Sequence, residues 1–251
     1  MSRQLLVAAT ALLVTFSNGS ISNAAELKVI GSPGVTGAIN ELSRHFEAAT
    51  SHKVFTDYEV VAILKRRIDA GETFDIAILS PEAIDELIRS GKIAADGRTN
   101  FGRVGMAVGA RKGAPKPDVS SPEAFRRTML NARLVSYSKE GLSGVAFLSA
   151  LARLGIVEAM QPRIKAYETG GSASAVANGE AELIVTALGP LLAEPGLEIV
   201  AMLPPELQTY VHFTAGLSAA AKEPQTAKGL IRFLTGPAAA PVLKAKGLEP
   251  S

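Results

Sequence analysis

Apolar residues along the chain fall alternately into short runs and into positions three or four residues apart, which predicts strands and helices in turn. The segments 27–30, 53–58 and 74–79 have the composition of strands, and the last, FDIAIL, is typical of a buried strand. A helical pattern follows each strand, and these predicted helices are 36–49, 60–71 and 80–91. A strand–helix repeat of this kind favours a parallel sheet covered by helices.

A second alternating series follows a long predicted strand, 103–111, and a proline-rich turn, 113–118. Its predicted elements are a helix at 121–131, a strand at 132–137, a helix at 143–154, a strand near 164–167, a helix at 172–178 and strands at 181–188 and 197–202. Another long strand, 210–219, and two helices, 224–235 and 237–246, complete the pattern. The long strands join the two series, so we expect two sheets that face each other across a cleft able to close by hinge motion.

The N-terminal residues have a different pattern, typical of a secretory signal peptide. Arg3 precedes the apolar stretch LLVAATALLVTF, and small residues, including Ala24 and Ala25, follow a polar segment. A transmembrane helix needs about 20 apolar residues, so this stretch is too short for a spanning anchor. We therefore predict a signal peptide at 1–25, cleavage near Ala24–Ala25 and a periplasmic protein.

Composition narrows the function classes further. The chain has 251 residues, of which 47% are apolar, so it can bury a sizeable core. The formal net charge of +2, or +1 without Arg3, gives no support for nucleic-acid binding. Cysteine is absent and the three histidines are widely spaced in sequence, so we predict no metal site.

Three predicted loops carry small residues between a strand and the start of a helix. Helix starts offer unpaired N–H groups and a positive dipole end, which suit anions, and serine or threonine adds a hydroxyl donor. An ordinary capped turn is the alternative for each loop taken alone. The small residues proposed as ligand-binding are Ser32, Gly34, Thr36, Ser143, Gly144, Gly171 and Ser172.

Two larger side chains are further candidates for ligand binding. Arg103 opens the first long strand, where a guanidinium could bind a carboxylate through two parallel hydrogen bonds. An ordinary salt bridge is the alternative. Tyr137 ends a strand just before a candidate loop, where its hydroxyl could donate to a ligand or its ring could simply pack in the core.

Several stretches carry a family resemblance: GETFDIAILSPEAIDELIRSGKI, RVGMAVGARKGAPKPDVSSPEAFRRTML, NGEAEL, LPPELQTYVHFTAGLSA and LIRFLTGPAAAPVLKAKGLEP. They resemble periplasmic solute-binding proteins related to molybdate-binding proteins, in a branch that includes a periplasmic aconitate isomerase. The resemblance implies an α/β, two-lobed type II periplasmic-binding-protein fold, with a mixed sheet and flanking helices in each lobe. It implies a first lobe of 26–107 plus 213–251, a second lobe of 108–212 and a ligand cleft between them.

The resemblance also bears on single positions. It implies that the second loop, at 60–62, contacts the ligand through backbone N–H groups such as that of Val61, because no hydroxyl stands there. Thr186 lies near the position where the family has a tyrosine. Glu59 places a negative charge beside the expected pocket, where a second anion would be costly unless one of the two is protonated or screened.

Three functions remain open from the sequence. A binding protein would capture a small oxyanion or organic carboxylate for the membrane permease of an ABC-type transporter, acting as a monomer without a cofactor. An enzyme resembling aconitate isomerase would interconvert trans- and cis-aconitate, with Glu59 and Tyr137 as acid–base candidates. A periplasmic ligand sensor would use the same cleft.

Overall fold

The computed structural model describes residues 24–139, 141–168 and 170–250. The predicted signal peptide, apart from its last two residues, lies outside these ranges and stays a prediction. Within them, no helix is both long and apolar enough to cross a bilayer.

Strands and helices alternate through most of the described chain. The strands are β1 Glu26–Gly31, β2 Lys53–Tyr58, β3 Ile76–Leu79, β4 Ile93–Arg111, β5 Val135–Ser138, β6 Ile164–Tyr167, β7 Leu183–Ala187, β8 Leu197–Met202, β9 Tyr210–Ser218 and β10 Leu248–Pro250. The helices are α1 Thr36–Thr50, α2 Val61–Asp69, α3 Pro81–Arg89, α4 Pro122–Asn131, α5 Leu142–Arg153, α6 Val157–Met160, α7 Gly171–Ala177, α8 Leu188–Ala193, α9 Pro224–Thr235 and α10 Ala240–Ala245.

The predicted strands and helices all have counterparts, with ends that differ by a few residues. The strand predicted at 103–111 is much longer, because β4 begins at Ile93. Three short elements were not predicted from the sequence: α6, α8 and β10.

The strands form two sheets that share β4. The first sheet has the order β2-β1-β3-β9-β4, with β10 also paired to β4, and the second has the order β4-β7-β5-β6, with β8 also paired to β4. Strands β1, β2 and β3 are parallel, and β9 runs antiparallel between β3 and β4. Each sheet is therefore mixed, as predicted, and helices flank both of them.

The chain passes between the two sheets at two places. In β4, Gly105 still pairs with Tyr210 of β9, whereas the next residue, Met106, pairs with Ala187 of β7. The return is the segment 203–209 between β8 and β9. The lobe limits predicted from the resemblance, after residues 107 and 212, stay a prediction.

Helix α1 illustrates how the sequence pattern positions the loops. Ala38, Ile39, Leu42 and Phe46 are all buried, and their spacing places them on one face of the helix. Burying each of the larger side chains contributes about 1.5–3 kcal/mol. This packing fixes the start of α1, and with it the loop that follows β1.

Candidate functional site

A cavity of about 430 Å³ lies where loops from both sheets meet. Its walls come from the ends of β1, β5 and β7, from the starts of several helices and from β9. The described lining residues are Ser32, Pro33, Gly34, Thr36, Val60, Val61, Ser138, Gly141, Leu142, Ser143, Gly170, Ser172, Ala173, Ser174, Thr186, Ala187, Pro190, Ala193, Glu194, Val211 and Phe213.

The loop after β1 contributes a buried hydroxyl group. The N–H of Ser32 donates to the carbonyl of Ile78 at 3.0 Å, which fixes the loop against β3. Ser32 is only 4% exposed, and its Oγ has no hydrogen-bond partner among the residues described. Buried polar groups are nearly always hydrogen-bonded and Ser32 lines the cavity, so this hydroxyl is a candidate donor to a ligand there.

Neighbouring aromatic rings hold the same loop in place. A side-chain carbon at Gly34 would lie 2.8 Å from the ring of Phe213, so a larger residue does not fit there without a shift. On the other side, the ring of Tyr58 packs near Gly31, and its hydroxyl lies 2.7 Å from Asn40 Oδ1. Burial raises the pKa of Tyr58 to about 12, so the hydroxyl stays protonated at neutral pH.

The loop before α2 presents backbone rather than hydroxyl groups. Val60 is the N-cap residue and makes no side-chain capping bond, and both Val60 and Val61 line the cavity. Glu59 Oε1 accepts from the N–H of Val60 at 2.8 Å. The first turn of α2 thus places N–H groups and two apolar side chains at the cavity.

The loop between β5 and α5 brings further hydroxyl groups to the cavity. Ser138, Leu142 and Ser143 line it, and Ser143 Oγ accepts from Thr186 Oγ1 at 3.3 Å. A side-chain carbon at Gly144 would lie 1.9 Å from the carbonyl oxygen of Ser138. Gly144 therefore shapes this turn by allowing close packing and does not itself line the cavity.

Helices α7 and α8, which pack on the second sheet, contribute the remaining wall of the cavity. Ser172 and Ser174 line the cavity near the start of α7, and the carbonyl of Ser172 accepts from the buried Ser136 Oγ at 2.8 Å. The residue before α7, Gly170, has φ of 79°, a left-handed conformation that favours glycine. Pro190 in α8 and Glu194, which directly follows the helix, line the same cavity.

The structure brings seven of the eleven predicted binding residues to this one cavity. They are Ser32, Gly34, Thr36, Val61, Ser143, Ser172 and Thr186. Gly144 and Gly171 lie directly beside lining residues but do not line the cavity, and Gly171 packs against Tyr167.

Arg103 lies away from the cavity. It is paired across the sheet with His212, whereas Val211 and Phe213, which line the cavity, point to the other face of β9. Its guanidinium lies 2.7 Å from Glu249 and 4.1 Å from the centre of the Tyr210 ring. An ordinary salt bridge, the alternative to ligand binding by Arg103, is therefore what the structure shows.

The two residues predicted for acid–base chemistry do not line the cavity either. The ring of Tyr137 lies 5.7 Å from that of Phe147 and packs against the core. Glu59 is adjacent to the lining residue Val60 and bonds its N–H. The ring-packing alternative for Tyr137 fits this arrangement.

The described lining is nearly free of charged side chains. It includes no lysine, arginine or histidine, and Glu194 is its one ionisable side chain. No group of three or more potential metal ligands occurs in the described ranges. Ser138, Leu142, Ser174, Glu194 and Phe213 are lining residues that the sequence analysis missed, and they match no motif that could have identified them.

Comparison with known proteins identifies related chains. A family model described as bacterial extracellular solute-binding protein matches residues 27–249. An aconitate isomerase from Pseudomonas sp. is 30% identical over 231 residues, which cover 89% of this chain and 87% of that protein. The molybdate-binding protein ModA of Azotobacter vinelandii is 26% identical over 240 residues, which cover 90% of each chain.

A solved structure supports the same relationship at the level of the fold. The periplasmic molybdate-binding protein of Azotobacter vinelandii superposes with a TM-score of 0.77 at 20% identity, covering 90% of this chain and 99% of that one. At this identity the likeness concerns the fold alone.

Proposed function

The chain belongs to the bacterial extracellular solute-binding proteins, and we propose that it captures a small anion in the cavity for the permease of an ABC-type transporter. Its α/β fold is the two-lobed type II periplasmic-binding-protein fold that the resemblance implied. In this proposal the chain is exported, is cleaved near Ala24–Ala25 and works as a monomer.

The buried, unpartnered hydroxyl of Ser32 is the observation that carries this proposal. It lies in the same cavity as the first turns of α2 and α5, where the N–H groups of the first two helical residues have no acceptor within the helix. The third N–H of each turn, from Ile63 and Gly144, already bonds the N-cap carbonyl. Neutral donors of this kind stabilise a negative charge through hydrogen bonds and helix dipoles without a cationic side chain. A fixed charge of opposite sign is therefore not needed for anion capture here.

The shape and polarity of the cavity favour an organic anion over a bare oxyanion. A volume of about 430 Å³ falls in the range of pockets for small organic ligands. Val60, Val61, Leu142 and Phe213 supply apolar surface that would contact a hydrocarbon portion. A carboxylate on a short carbon skeleton would use both the donors and these walls.

Thermal unfolding of the purified chain with single anions tests the proposal. The panel comprises molybdate, sulfate, acetate, citrate and both aconitates. A ligand at a hundred times its dissociation constant adds about 2.7 kcal/mol to the free energy of unfolding, which a melting curve resolves. If no anion raises the melting temperature, capture of a small anion is refuted, and a response to molybdate alone would contradict the preference for organic anions.

An aconitate isomerase activity is the second candidate, favoured by the 30% identity to an enzyme of that name over most of the chain. The reaction requires removal of a proton next to a carboxylate and its return at the other end of the allylic system. Neither Glu59 nor Tyr137 lines the cavity, but Glu59 is adjacent to the lining residue Val60. The carboxylates to compare are therefore Glu194, in the lining, and Glu59, beside it. Incubation with trans-aconitate, followed by ultraviolet absorbance, tests turnover, and an unchanged spectrum with folded protein refutes this candidate.

If turnover occurs, variants identify the residue responsible. Glu194→Gln should abolish the activity if the lining carboxylate transfers the proton, whereas Glu59→Gln should then retain it. The opposite result would assign the reaction to Glu59, and equal losses would leave neither carboxylate as the sole acid–base group.

A further inference from the structure

We propose that Glu194 selects a ligand with a carboxylate at one end and a hydrogen-bond donor, an ammonium or hydroxyl group, at the other. The ligand class is thus a small amino acid or hydroxy acid. This inference rests on the proposed capture of an anion and specifies which anions are preferred.

The position of Glu194 relative to the donors follows from the course of α8. Ala187 precedes α8, Pro190 lies within it and Glu194 follows it, and all three line the cavity, so the cavity extends along this helix. The six residues of α8 rise about 9 Å, and Ala187 and Glu194 flank the helix at its two ends. The cavity therefore has two distinct ends along α8.

The hydroxyl donors cluster at the end where α8 begins. Thr186 lies two residues before α8 and hydrogen-bonds Ser143 at 3.3 Å, which brings the first turn of α5 to the same place. A side-chain carbon at Gly189, in the first turn of α8, would lie 3.1 Å from the carbonyl oxygen of Gly34, so the loop that carries Ser32 also meets this end. An anionic group is best placed here.

Glu194 gives the opposite end a different chemistry. Its Oε1 accepts one hydrogen bond, at 3.2 Å from the N–H of Gly196, and an ionised carboxylate has further acceptor positions and no donor. No cationic side chain occurs among the described lining residues to screen it. A second negative charge on the ligand would be repelled here, whereas an ammonium or hydroxyl group would be bound.

Binding measurements with probes that differ in one terminal group test this selection. Valerate, γ-hydroxybutyrate and γ-aminobutyrate are carboxylates of similar length that end in a methyl, a hydroxyl or an ammonium group, and glutarate ends in a second carboxylate. By isothermal titration calorimetry, γ-aminobutyrate should bind at least about tenfold more tightly than valerate, in line with a charge-assisted hydrogen bond. γ-Hydroxybutyrate should fall between them and glutarate should bind most weakly.

Glu194→Gln removes the charge with little change in shape. In this variant γ-aminobutyrate should lose its advantage over valerate, and glutarate should bind more tightly than to the wild type. Glu158→Gln is the matched control, because Glu158 is exposed on α6 and does not line the cavity. It should leave the order of the four probes unchanged.

The outcomes separate this inference from the proposed function. If valerate or glutarate binds the wild type as tightly as γ-aminobutyrate, selection by Glu194 is refuted while anion capture stands. If molybdate or sulfate binds and none of the four organic probes does, selection by Glu194 is likewise refuted and anion capture again stands. If neither these probes nor any anion of the earlier panel binds, both proposals fail.

Discussion

At the scale of single residues, two buried serine hydroxyls provide an internal comparison. Ser32 and Ser43 are each 4% exposed, and neither Oγ has a hydrogen-bond partner in the described part of the chain. Ser32 lines the cavity, whereas Ser43 is buried on α1 and does not. An unsatisfied buried hydroxyl costs about 1–3 kcal/mol, so each lowers stability, but only Ser32 can regain a bond from a ligand.

We expect Ser32→Ala to weaken binding of any anion that the chain captures by about tenfold or more, because a hydrogen bond to a charged group contributes about 1.5–3 kcal/mol. The ligand-free stability should stay equal or rise. Ser43→Ala, the matched control, should raise the free energy of unfolding by about 1 kcal/mol and leave the affinity unchanged. Calorimetry and urea unfolding measure both quantities, and equal affinities for the two variants would contradict the role of Ser32.

At single residues, the sequence could indicate positions that line the cavity where the pattern is local. Ser32, Ser143 and Ser172 could be found because small residues before a helix form a recognisable pattern. The sequence could not show whether Arg103 faces the cavity, because the face on which a strand residue lies depends on the register of its strand with a distant strand. Glu194 was missed because its approach to the cavity depends on where α8 packs.

At the scale of secondary structure, the start of α5 depends on close packing against β5. The carbonyl of Ser138 occupies the space where Gly144 would carry a side chain, and Ser138 and Ser143 both line the cavity. The position of these two hydroxyl groups is therefore set by the absence of a side chain at Gly144.

Gly144→Ala should destabilise the chain by about 1–3 kcal/mol and weaken anion binding, because the added methyl group forces the first turn of α5 away from β5. Gly229→Ala is the control: this residue lies inside α9, and a methyl group there would meet no atom within 4 Å. The control should gain about 0.5–1 kcal/mol from the higher helix propensity of alanine. Urea unfolding measures both changes, and stabilisation by both substitutions would refute the packing argument.

Elements with a regular pattern were predictable, and those stabilised mainly by tertiary contacts were not. The strand β2 was predicted with its observed limits, 53–58. The first part of β4, from Ile93 to Gly102, contains several exposed polar residues and irregular pairing with β9, so no alternation identifies it. Helix α8 contains Gly189 and Pro190 in six residues, a composition typical of a turn.

At the scale of the whole molecule, Gln208 joins the two connections between the sheets. Its Oε1 accepts from the N–H of Met106 at 2.8 Å, and its Nε2 donates to the carbonyl of Met106 at 3.0 Å. Met106 is the residue at which β4 begins to pair with the second sheet. One side chain of the return segment thus binds both backbone groups at the crossing point, where any rotation of one lobe on the other must be accommodated.

We expect Gln208→Leu to lower the free energy of unfolding by about 1–3 kcal/mol, because the substitution removes both bonds to the buried Met106 backbone. It should also broaden the range of lobe orientations in the ligand-free protein, which small-angle X-ray scattering detects as a larger radius of gyration. Gln161→Leu, at an exposed position after α6, is the control. Identical scattering and stability for the two variants would exclude a role of Gln208 at the crossing.

The place of β9 between β3 and β4 has a consequence for how the molecule is assembled as it is synthesised. Strand β9, which joins β3 to β4 in the first sheet, is synthesised only after all the described strands of the second sheet. Until then β3 has an open edge with unpaired backbone groups, and contacts of such long sequence separation form slowly. The half of the protein that is translated first is therefore completed last.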